Sequence, residues 1–325
     1  MCGLAGRFHF ARLPEAPGWR ARADALLTHR GPDGAGYWRD ERCELVHRRL
    51  AIIDLSPAGR QPMTNEDGTV VVVYNGEIYN HRALRRALTR RGHRFRSATD
   101  TEVLVHLYEE CGARLLEHLR GIFAFAVYDR ARRHLLLARD RFGVKPLFYL
   151  HHGPTGQWVF ASELKAITAL PGFRPRLDRQ ACYDFLSLGY VPDPATGLVE
   201  IRALPRGATL SVSPAGARLD EGSPPPVTPD QGRDLPGTVD ELSRTLLGAV
   251  RQQAVADVPV AALLSGGIDS SLVVAAHGRA TGATTSTFSV RFPDPEHDET
   301  ALARAVAAHC GARHHTIDAR ERRLT

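Results

Sequence analysis

A proline-rich stretch divides this chain into two parts that we expect to fold separately. Residues 221–237 read EGSPPPVTPDQGRDLPG and contain no apolar periodicity. A segment of this composition forms a stiff, extended connection with nothing to bury. The length of 325 residues also exceeds the size at which single cores usually stop growing. We therefore predict one domain over residues 2–220, a linker over 221–237 and a second domain over 238–325.

The first part reads as short β segments that alternate with a few helices. Stretches rich in Val, Phe and Leu predict strands at residues 69–75, 123–129, 134–140 and 158–162. Two other stretches carry apolar residues at helical spacing and meet a glycine at their end, at residues 81–92 and 100–112. The first domain is therefore predicted to contain both α and β structure.

The second part begins with an amphipathic helix, predicted over residues 239–256. Residues 258–280 then read as a buried strand, a glycine loop and a helix, with LLSGGIDSS at the loop. Glycines allow the backbone to approach a bound group, and the free N–H groups at a helix start favour an anion, so we expect a phosphate here. A plain strand-to-helix turn also uses Gly, Asp and Ser, and this alternative stays open at this point.

The cysteines are scattered along the chain. They number five, form no CxxC pair, and argue against both a disulfide framework and a zinc site. We interpret four of them as small apolar side chains, namely Cys43, Cys111, Cys182 and Cys310. The remaining thiol, Cys2, stands one residue from the start of the chain, and its function is considered below.

Charge and hydropathy exclude several classes of protein. The formal net charge is +6, but all of the 42 basic residues except Lys145 and Lys165 are arginines, and they form no dense run with interleaved aromatics. We therefore expect no nucleic-acid partner. No apolar run approaches the roughly 20 residues of a membrane span, and the N-terminus lacks a basic segment followed by a long apolar core. We expect no membrane association and a cytoplasmic location.

The glycine loop resembles the SGGxDS loop of the ATP pyrophosphatases. The resemblance implies that ATP with Mg²⁺ is a co-substrate and that no organic cofactor is tightly bound. Asp269 would help to place Mg²⁺, while Leu264 and Val290 would flank the adenine nucleotide. The residues implied to hold the pyrophosphate portion are Ser265, Gly266, Gly267 and Ser270.

Several strings in the first part, taken in order, resemble the glutamine-dependent asparagine synthetases. They are HRGPD (29–33), RLAIID (49–54), YNGEIYN (74–80), ATDTEV (98–103), RDRFGVKPLFY (139–149) and ASELKA (161–166), with Cys2 before them and SGGIDSS after them. The resemblance implies an α+β fold, an N-terminal-nucleophile αββα sandwich. It implies that the beginning of an α/β parallel-sheet ATP-pyrophosphatase domain follows.

The chemistry of an N-terminal nucleophile explains the position of Cys2. Removal of Met1 would leave Cys2 with a free α-amine, whose ordinary pKa is about 7.7 to 8.0. Part of this amine is neutral near physiological pH, so it can act as the base that activates the thiol of the same residue. We therefore expect Cys2 to attack the amide of glutamine.

The resemblance also implies a glutamine pocket. The Asn75 side-chain amide and the Gly76 N–H would stabilise the oxyanion. Arg49 would bind the α-carboxylate of glutamine and Asp100 its α-ammonium. The remaining members of the pocket are Glu77 and the backbone of Leu50, Ala51, Ile52 and Ile53.

Each of these residues also has a structural alternative. Asn75 and Gly76 suit a tight turn after a strand, Asp100 suits a helix cap, and Arg49 has many arginine neighbours. His29 is expected at the pocket entrance, and we interpret His314 and His315 as structural residues.

The resemblance implies a glutamine-hydrolysing carbon–nitrogen ligase of asparagine biosynthesis. Ammonia from glutamine would pass through an internal tunnel and amidate aspartate through an aspartyl-adenylate. Two alternatives remain: an amidotransferase for a different carboxylate, and a glutaminase or ATP-binding protein without synthetase activity. The expected partners are glutamine, ATP and aspartate, and a homodimer is a further alternative.

The family pattern continues well beyond the last matched string. We therefore expect an incomplete synthetase domain here, truncated at its C-terminus. Residues 238–325 alone would leave a sheet edge and apolar faces uncovered, so we expect this segment to be poorly stable or to need a partner.

Overall fold

A computed structural model describes residues 1–222 and 234–319. The described residues fall into two compact units, within Met1–Pro226 and within Val227–Thr325. Most of the predicted linker, residues 223–233, lies outside the described residues.

Two six-stranded antiparallel sheets form the centre of the first unit. The first sheet has the strand order β10-β8-β9-β1-β3-β2 and comprises β1 (Gly3–Phe8), β2 (Gly34–Arg39), β3 (Cys43–Arg49), β8 (Phe148–His152), β9 (Gln157–Ala161) and β10 (Arg202–Ala203). The second has the order β12-β11-β7-β6-β5-β4 and comprises β4 (Met63–Thr64), β5 (Val70–Ile78), β6 (Gly121–Asp129), β7 (His134–Arg139), β11 (Thr209–Ser213) and β12 (Gly216–Asp220).

The two sheets pack face to face because the central strands bury both of their faces. Phe8 and Leu45 of the first sheet share one apolar cluster with Val71, Val73 and Leu137 of the second. Strands buried on both sides read as almost continuous apolar runs, as VVVVY and HLLLA do here.

Helices cover the outer faces of both sheets. On the first sheet, α1 (Trp19–Leu27) and α4 (Leu164–Thr168) pack Trp19 and Ile167 against Val46. On the second, α2 (His81–Arg90) and α3 (Glu102–Cys111) pack Leu88 and Leu104 against Phe125. A further helix, α5, spans Arg179–Leu188. The order helix, sheet, sheet, helix is the predicted αββα sandwich, which the structure confirms.

Strand β5 is longer than the sequence predicts. The predicted strand ends at residue 75, whereas β5 continues to Ile78 and pairs with β6 along its whole length. Asn75 lies opposite Ala124 and Gly76 opposite Phe123. The turn interpretation of Asn75 and Gly76 is therefore wrong, because pairing with a long neighbour keeps both residues in the strand.

The second unit contains a small parallel sheet. Its elements are α6 (Leu235–Gln253), β13 (Ala261–Leu263), α7 (Ile268–Thr281), β14 (Ser286–Arg291), α8 (Thr300–His309) and β15 (Arg313–Asp318), with the strand order β13-β14-β15. Leu264, Val274, Ala303 and Ala307 form its buried apolar cluster. The parallel sheet agrees with the predicted α/β class.

Helix α6 begins four residues before its predicted start at residue 239. The Asp234 side chain accepts a hydrogen bond from the Gly237 N–H at 3.0 Å and so caps the helix. Pro236 fits the first turn because a residue there needs no N–H partner within the helix. Residues 235–237, which the sequence assigns to the linker, therefore belong to the helix. Across the described parts of both units, no helix combines the length and the apolar character that a membrane crossing requires.

Candidate active site

A cavity in the first unit lies where the chain enters β1 and where β5 ends. Its walls come from three further segments: the loop after β3, the turn before β4 and the loop before α3. The lining residues are Cys2, Arg49, Leu50, Ile52, Ile53, Gly59, Gln61, Tyr74, Gly76, Glu77, Thr99, Asp100 and Thr101.

Cys2 is held at this cavity by the backbone of Leu50. The Leu50 N–H donates to Cys2 Sγ at 3.3 Å, and the thiol donates to the Leu50 carbonyl at 3.6 Å. The Arg30 Nε donates to the Cys2 carbonyl at 3.0 Å and fixes the chain entry. Burial raises the pKa of the Cys2 thiol, against the opposing effects of the Leu50 bond and the terminal ammonium. The thiol is therefore protonated at neutral pH and requires a base to react.

The surroundings of the chain terminus lower the basicity of its amine. Burial lowers the pKa of the Met1 α-amine, and the positive charges of Arg30 and Lys145 lower it further. An amine in this position is more often neutral near pH 7 than an exposed one. The Lys145 ammonium lies 3.3 Å from Met1 Sδ, so it flanks the same terminus.

The free edge of β5 directs backbone donors toward the cavity. The Tyr74 N–H donates to Gln61 Oε1 at 2.7 Å and the Ile78 N–H to Asp100 Oδ2 at 2.9 Å. Alternate N–H groups of a strand point to the same side, so the Gly76 N–H between them points out of this edge. Phe123 of β6, which lies opposite Gly76, bonds to Asp140 and not to Gly76. Its N–H donates to Asp140 Oδ2 at 3.2 Å, and its carbonyl accepts from the Asp140 N–H at 2.8 Å.

The Asn75 side chain carries a buried donor without a partner. The residue is 1% exposed, and its Nδ2 has no hydrogen-bond partner in the described part of the chain. Buried polar groups without partners are rare because each costs desolvation free energy. No group in the described part of the chain therefore uses this donor.

Asp100 faces β5 and does not cap a helix. Its Oδ2 accepts hydrogen bonds from the Tyr74 hydroxyl at 2.7 Å and from the Ile78 N–H. Helix α3 begins at Glu102 with Thr101 before it, so the cap interpretation of Asp100 is wrong. Burial raises the pKa of the Asp100 carboxyl. Burial and the charge of Asp100 also raise the pKa of Glu77, and the charge of Lys145 opposes this effect.

Arg49 is buried beside the cavity rather than exposed. Its guanidinium donates to the carbonyl of Ser56 at 2.9 Å, to that of Ile53 at 3.3 Å and to that of Asp54. These bonds use three of the five N–H groups of an arginine. Arg49 thus holds the loop after β3 in place, and only the remaining N–H groups of its guanidinium could contact a ligand.

The cavity brings together most of the predicted glutamine-site residues. Two of them, Asn75 and Ala51, do not line the cavity. The Ala51 N–H donates to Asp33 Oδ2 at 2.9 Å. Sequence reasoning missed Gly59, Gln61, Tyr74, Thr99 and Thr101. Tyr74, Thr99 and Thr101 lie inside the motif strings and could have been included. Gly59 and Gln61 lie outside every string and gave no signal.

The predicted phosphate loop lies between β13 and α7 in the second unit. Gly266 has a φ of +90°, and a Cβ there would lie 2.7 Å from the Ala303 backbone nitrogen, so only glycine fits. The Ser265 and Ser270 hydroxyls lie 2.9 Å apart across the loop. Asp269 is exposed in the first turn of α7, and Leu264 and Val290 lie at the ends of neighbouring strands.

The three histidines noted in the sequence have protein partners. His29 Nε2 lies 2.8 Å from Glu163 Oε1, beside bonds to the same carboxylate from Arg30 and Lys165. Burial alone would raise the pKa of Glu163, but these three partners lower it to about 2. His314 Nδ1 lies 2.9 Å from the Thr287 hydroxyl, and His315 stacks on Phe288.

Comparisons with solved structures agree with the fold. The chain is similar to glutamine phosphoribosylpyrophosphate amidotransferase from B. subtilis complexed with ADP and GMP, with a TM-score of 0.50 and 19% identity, over 97% of this chain and 65% of that one. A structure described as the allosteric regulatory enzyme of purine biosynthesis has a TM-score of 0.51 and 16% identity, over 98% and 80%. At these identities the likeness concerns the fold alone.

Sequence comparisons cover both units. A family model described as "Glutamine amidotransferase domain" matches residues 1–221, and one described as "Asparagine synthase" matches residues 241–325. Asparagine synthetase [glutamine-hydrolyzing] 3 of Bacillus subtilis (strain 168) is 39% identical over 85% of this chain and 45% of its own length. Synthetase 1 of the same organism is 33% identical over 96% and 49%. Synthetase 2 of Arabidopsis thaliana is 37% identical over 89% and 46%.

The chain spans less than half the length of each of these three relatives. The first match nevertheless covers the whole sandwich, including the cavity at Cys2, and the second covers the phosphate loop. This chain belongs to the glutamine amidotransferase domain family.

Proposed function

We propose that this chain hydrolyses glutamine at Cys2 and supplies the ammonia for an ATP-dependent amidation of aspartate. The amidotransferase domain would comprise residues 2–220, and residues 238–325 would form part of the synthetase domain. The observation that carries the proposal is the unpartnered Asn75 amide, a buried donor on the strand whose next residue lines the Cys2 cavity.

The first step is attack of the Cys2 sulfur on the side-chain amide carbon of glutamine. A carbon–sulfur bond forms, and the carbonyl oxygen becomes an oxyanion. Fixed donors that point at this oxygen in a water-poor site lower the barrier. Asn75 Nδ2 and the Gly76 N–H are suited to this role, since neither has to break a bond within the protein. Collapse of the intermediate breaks the carbon–nitrogen bond, releases ammonia and leaves a thioester, which water hydrolyses to glutamate.

The α-amine of Cys2, exposed by removal of Met1, would act as the base. It would take the thiol proton and deliver it to the leaving nitrogen. Burial raises the pKa of the thiol, so the thiol keeps its proton until the base takes it.

The α-groups of glutamine would bind on opposite sides of the cavity. The buried Asp100 and the half-buried Glu77 offer negative charge to the ammonium, and a bound ammonium would stabilise their ionised forms. Arg49 would contact the α-carboxylate with the N–H groups that the loop carbonyls leave over. The loop carbonyls fix its position, so little side-chain entropy is lost on binding.

The second unit would bind ATP. The loop Ser265–Gly266–Gly267 and Ser270 would hold the pyrophosphate portion with backbone N–H groups and hydroxyls. Asp269 would contact Mg²⁺, which shields the phosphate charges when it is bound. The acceptor would be the β-carboxylate of aspartate, as the names of the relatives suggest.

Glutaminase activity tests the proposal directly. Purified protein is expected to release glutamate from glutamine, and Cys2→Ala is expected to abolish the release. Cys182→Ala, which removes an exposed thiol on α5, is the matched control and should keep full activity. Intact-mass measurement should show loss of Met1.

Two results would contradict the proposal. One is glutamate release that survives Cys2→Ala, and the other is a chain that retains Met1 and still turns over. Glutamine binding without turnover would favour a sensor over an enzyme. ATP- and aspartate-dependent formation of asparagine, measured separately, tests the synthetase part.

A further inference from the structure

A group of metal-ligating side chains lies on the outer side of the first unit, apart from the Cys2 cavity. His106 and Glu109 lie on α3, and His93 lies in the loop between α2 and α3. Their nearest ligand atoms all lie within 4.8 Å of one another, and Glu66 adjoins them. We call His93, His106, Glu109 and Glu66 the His93 cluster. Among the described residues, it contains the one group of three such ligands at this spacing.

The distances in the His93 cluster suit a tetrahedral dication. Glu109 Oε2 lies 2.9 Å from His106 Nδ1 and 3.5 Å from His93 Nδ1. Ligand atoms about 2.0 Å from a tetrahedral Zn²⁺ lie roughly 3.3 Å apart. Glu66 Oε2, at 3.8 Å from His106 Nδ1, can supply a fourth ligand. The atoms of His93, His106 and Glu109 therefore need only small movements to surround one ion, and Glu66 has to move further to join them.

Both histidines present the same ring atom to the centre and turn the other toward a carboxylate. His93 Nε2 lies 2.9 Å from Glu110 Oε1, and His106 Nε2 lies 4.0 Å from Glu102 Oε1. Metal-bound histidines almost always donate their second ring N–H to such a group, as His93 Nε2 is placed to do with Glu110. His106 Nδ1 donates to Glu109 Oε2 at 2.9 Å, and a bound ion would take the place of this proton.

The two carboxylates of the cluster are oriented in the same way. The Asn65 side-chain amide donates to Glu109 Oε1 at 2.8 Å, while Glu109 Oε2 faces the histidines. The Arg94 N–H donates to Glu66 Oε1 at 3.3 Å, while Glu66 Oε2 faces His106. Each carboxylate thus has one oxygen held by the protein and one directed to the centre.

The charge of this region favours a bound cation. The carboxylates of Glu66, Glu102, Glu109 and Glu110 surround two histidines. Arg91 pairs with Glu110 at 2.7 Å and offsets one of these charges. The remaining carboxylates leave an excess of negative charge around the two rings, which a dication would neutralise.

We propose that the His93 cluster binds one divalent transition-metal ion of the Zn²⁺ class through His93 Nδ1, His106 Nδ1, Glu109 and Glu66. The scattered cysteines exclude only a thiolate zinc site, and this cluster contains no cysteine. The ion would fasten the loop before α3 to the helix. That loop ends at Thr99 and Asp100, which line the cavity, so the site would stabilise one wall of it.

Metal titration of the full chain tests the site. Chelator-treated protein is titrated with Zn²⁺ by calorimetry, and Co²⁺ serves as an optical probe. We expect one tight site per chain and a tetrahedral cobalt spectrum without the thiolate charge-transfer band that cysteine ligation produces. His93→Gln and Glu109→Gln should each weaken binding by about 100-fold or more, and Glu110→Gln by about 10–100-fold. His118→Gln, a change at an exposed histidine outside the cluster, should leave binding unaltered.

Circular dichroism establishes that each variant is folded, and Glu110→Gln retains all four proposed ligands if another variant fails. Absence of a stoichiometric site would overturn the proposal and identify the group as a hydrogen-bonded cluster only. A site that survives both His93→Gln and Glu109→Gln, or a cobalt spectrum with a thiolate band, would equally overturn it. None of these readouts depends on glutaminase activity, so failure here leaves the proposed function untouched.

Discussion

The two asparagines of the string YNGEIYN have opposite surroundings, although each directly follows a tyrosine in the sequence. Asn75 is buried with an unpartnered Nδ2, whereas Asn80 donates to the His118 carbonyl at 2.8 Å and accepts from the Arg120 N–H at 3.0 Å. Both the N–H and the oxygen of the Asn80 amide are therefore hydrogen-bonded to the backbone of the fold. Asn75 leaves its donor without a partner in the described part of the chain, at a cost in desolvation, as the proposed oxyanion role requires.

This contrast predicts a separation of activity from stability. Asn75→Ala should lower kcat for glutamine hydrolysis by about 100–1000-fold, the loss typical of one oxyanion donor, with a small change in KM. Asn80→Ala should keep kcat but lower the free energy of unfolding by about 1–3 kcal/mol, because it leaves a backbone N–H and a carbonyl without their partners. Steady-state kinetics and urea unfolding on both variants measure the two effects. Equal kcat in the two variants would refute the assigned role of Asn75.

At the level of single residues, sequence reasoning found what lies inside recognisable strings. It identified Arg49 and Asp100 because each lies in a string that the resemblance covers, and Cys2 because of its position near the start of the chain. It missed Gln61, which reaches the cavity only because its side chain bonds the Tyr74 N–H and the Thr101 hydroxyl. The His93 cluster was missed for the same reason, since its four ligands come from three segments that only the fold brings together.

Among the elements, β5 shows how tertiary pairing overrides a local signal. The sequence Asn-Gly-Glu suggests a turn, yet β5 continues through it because β6 offers nine paired positions. The same pairing places Gly76 where a side chain has no room. A Cβ on Gly76 would lie 2.2 Å from the Ile122 carbonyl oxygen and 2.7 Å from the Phe123 Cα. Both are backbone atoms, so they cannot move aside alone.

Gly76→Ala should therefore displace the end of β5. We expect a loss of about 1–3 kcal/mol in the free energy of unfolding, as for other overpacked sites, and a lower kcat because the Gly76 N–H moves with the strand. Gly153→Ala is the matched control, since no atom of the described residues lies within 4 Å of its Cβ position. Urea unfolding and glutamine hydrolysis check both effects. A stable, fully active Gly76→Ala variant would show that β5 is not held as closely as described.

Helices were easier to predict than the ends of strands. Apolar spacing placed α2 and α3 within two residues of their observed starts, because amphipathic periodicity reflects a face that must be buried. The start of α6 was placed too late because proline was taken as a breaker, although Pro236 stands in the first turn, where it is tolerated.

At the scale of the whole first unit, His47 connects the two sheets through the core. It lies on β3 of the first sheet, is 1% exposed, and its Nε2 is 3.0 Å from the Tyr74 carbonyl on β5 of the second. Burial lowers the pKa of His47 to about 4, the charge of Arg49 adds to this, and the bond to Tyr74 opposes it. The sandwich therefore accommodates the neutral ring and not the imidazolium.

This buried histidine makes the stability of the first unit depend on pH. The unfolded chain takes up a proton near the ordinary histidine pKa of about 6.5, whereas the folded chain does so only near 4. Between these values the unfolded state binds more protons, so stability falls as the pH falls. The full shift corresponds to about 3 kcal/mol.

Urea unfolding between pH 7 and pH 4 tests this contribution. His47→Gln removes the titrating group but keeps an amide donor for the Tyr74 carbonyl, so its free energy of unfolding should fall less steeply over this range than that of the wild type. The comparison concerns the slope with pH, which a constant packing defect does not alter. His118→Gln, at an exposed position, should follow the wild-type slope. If His47→Gln and the wild type lose stability in parallel, then other groups carry the acid sensitivity and the sheets tolerate a charge at His47.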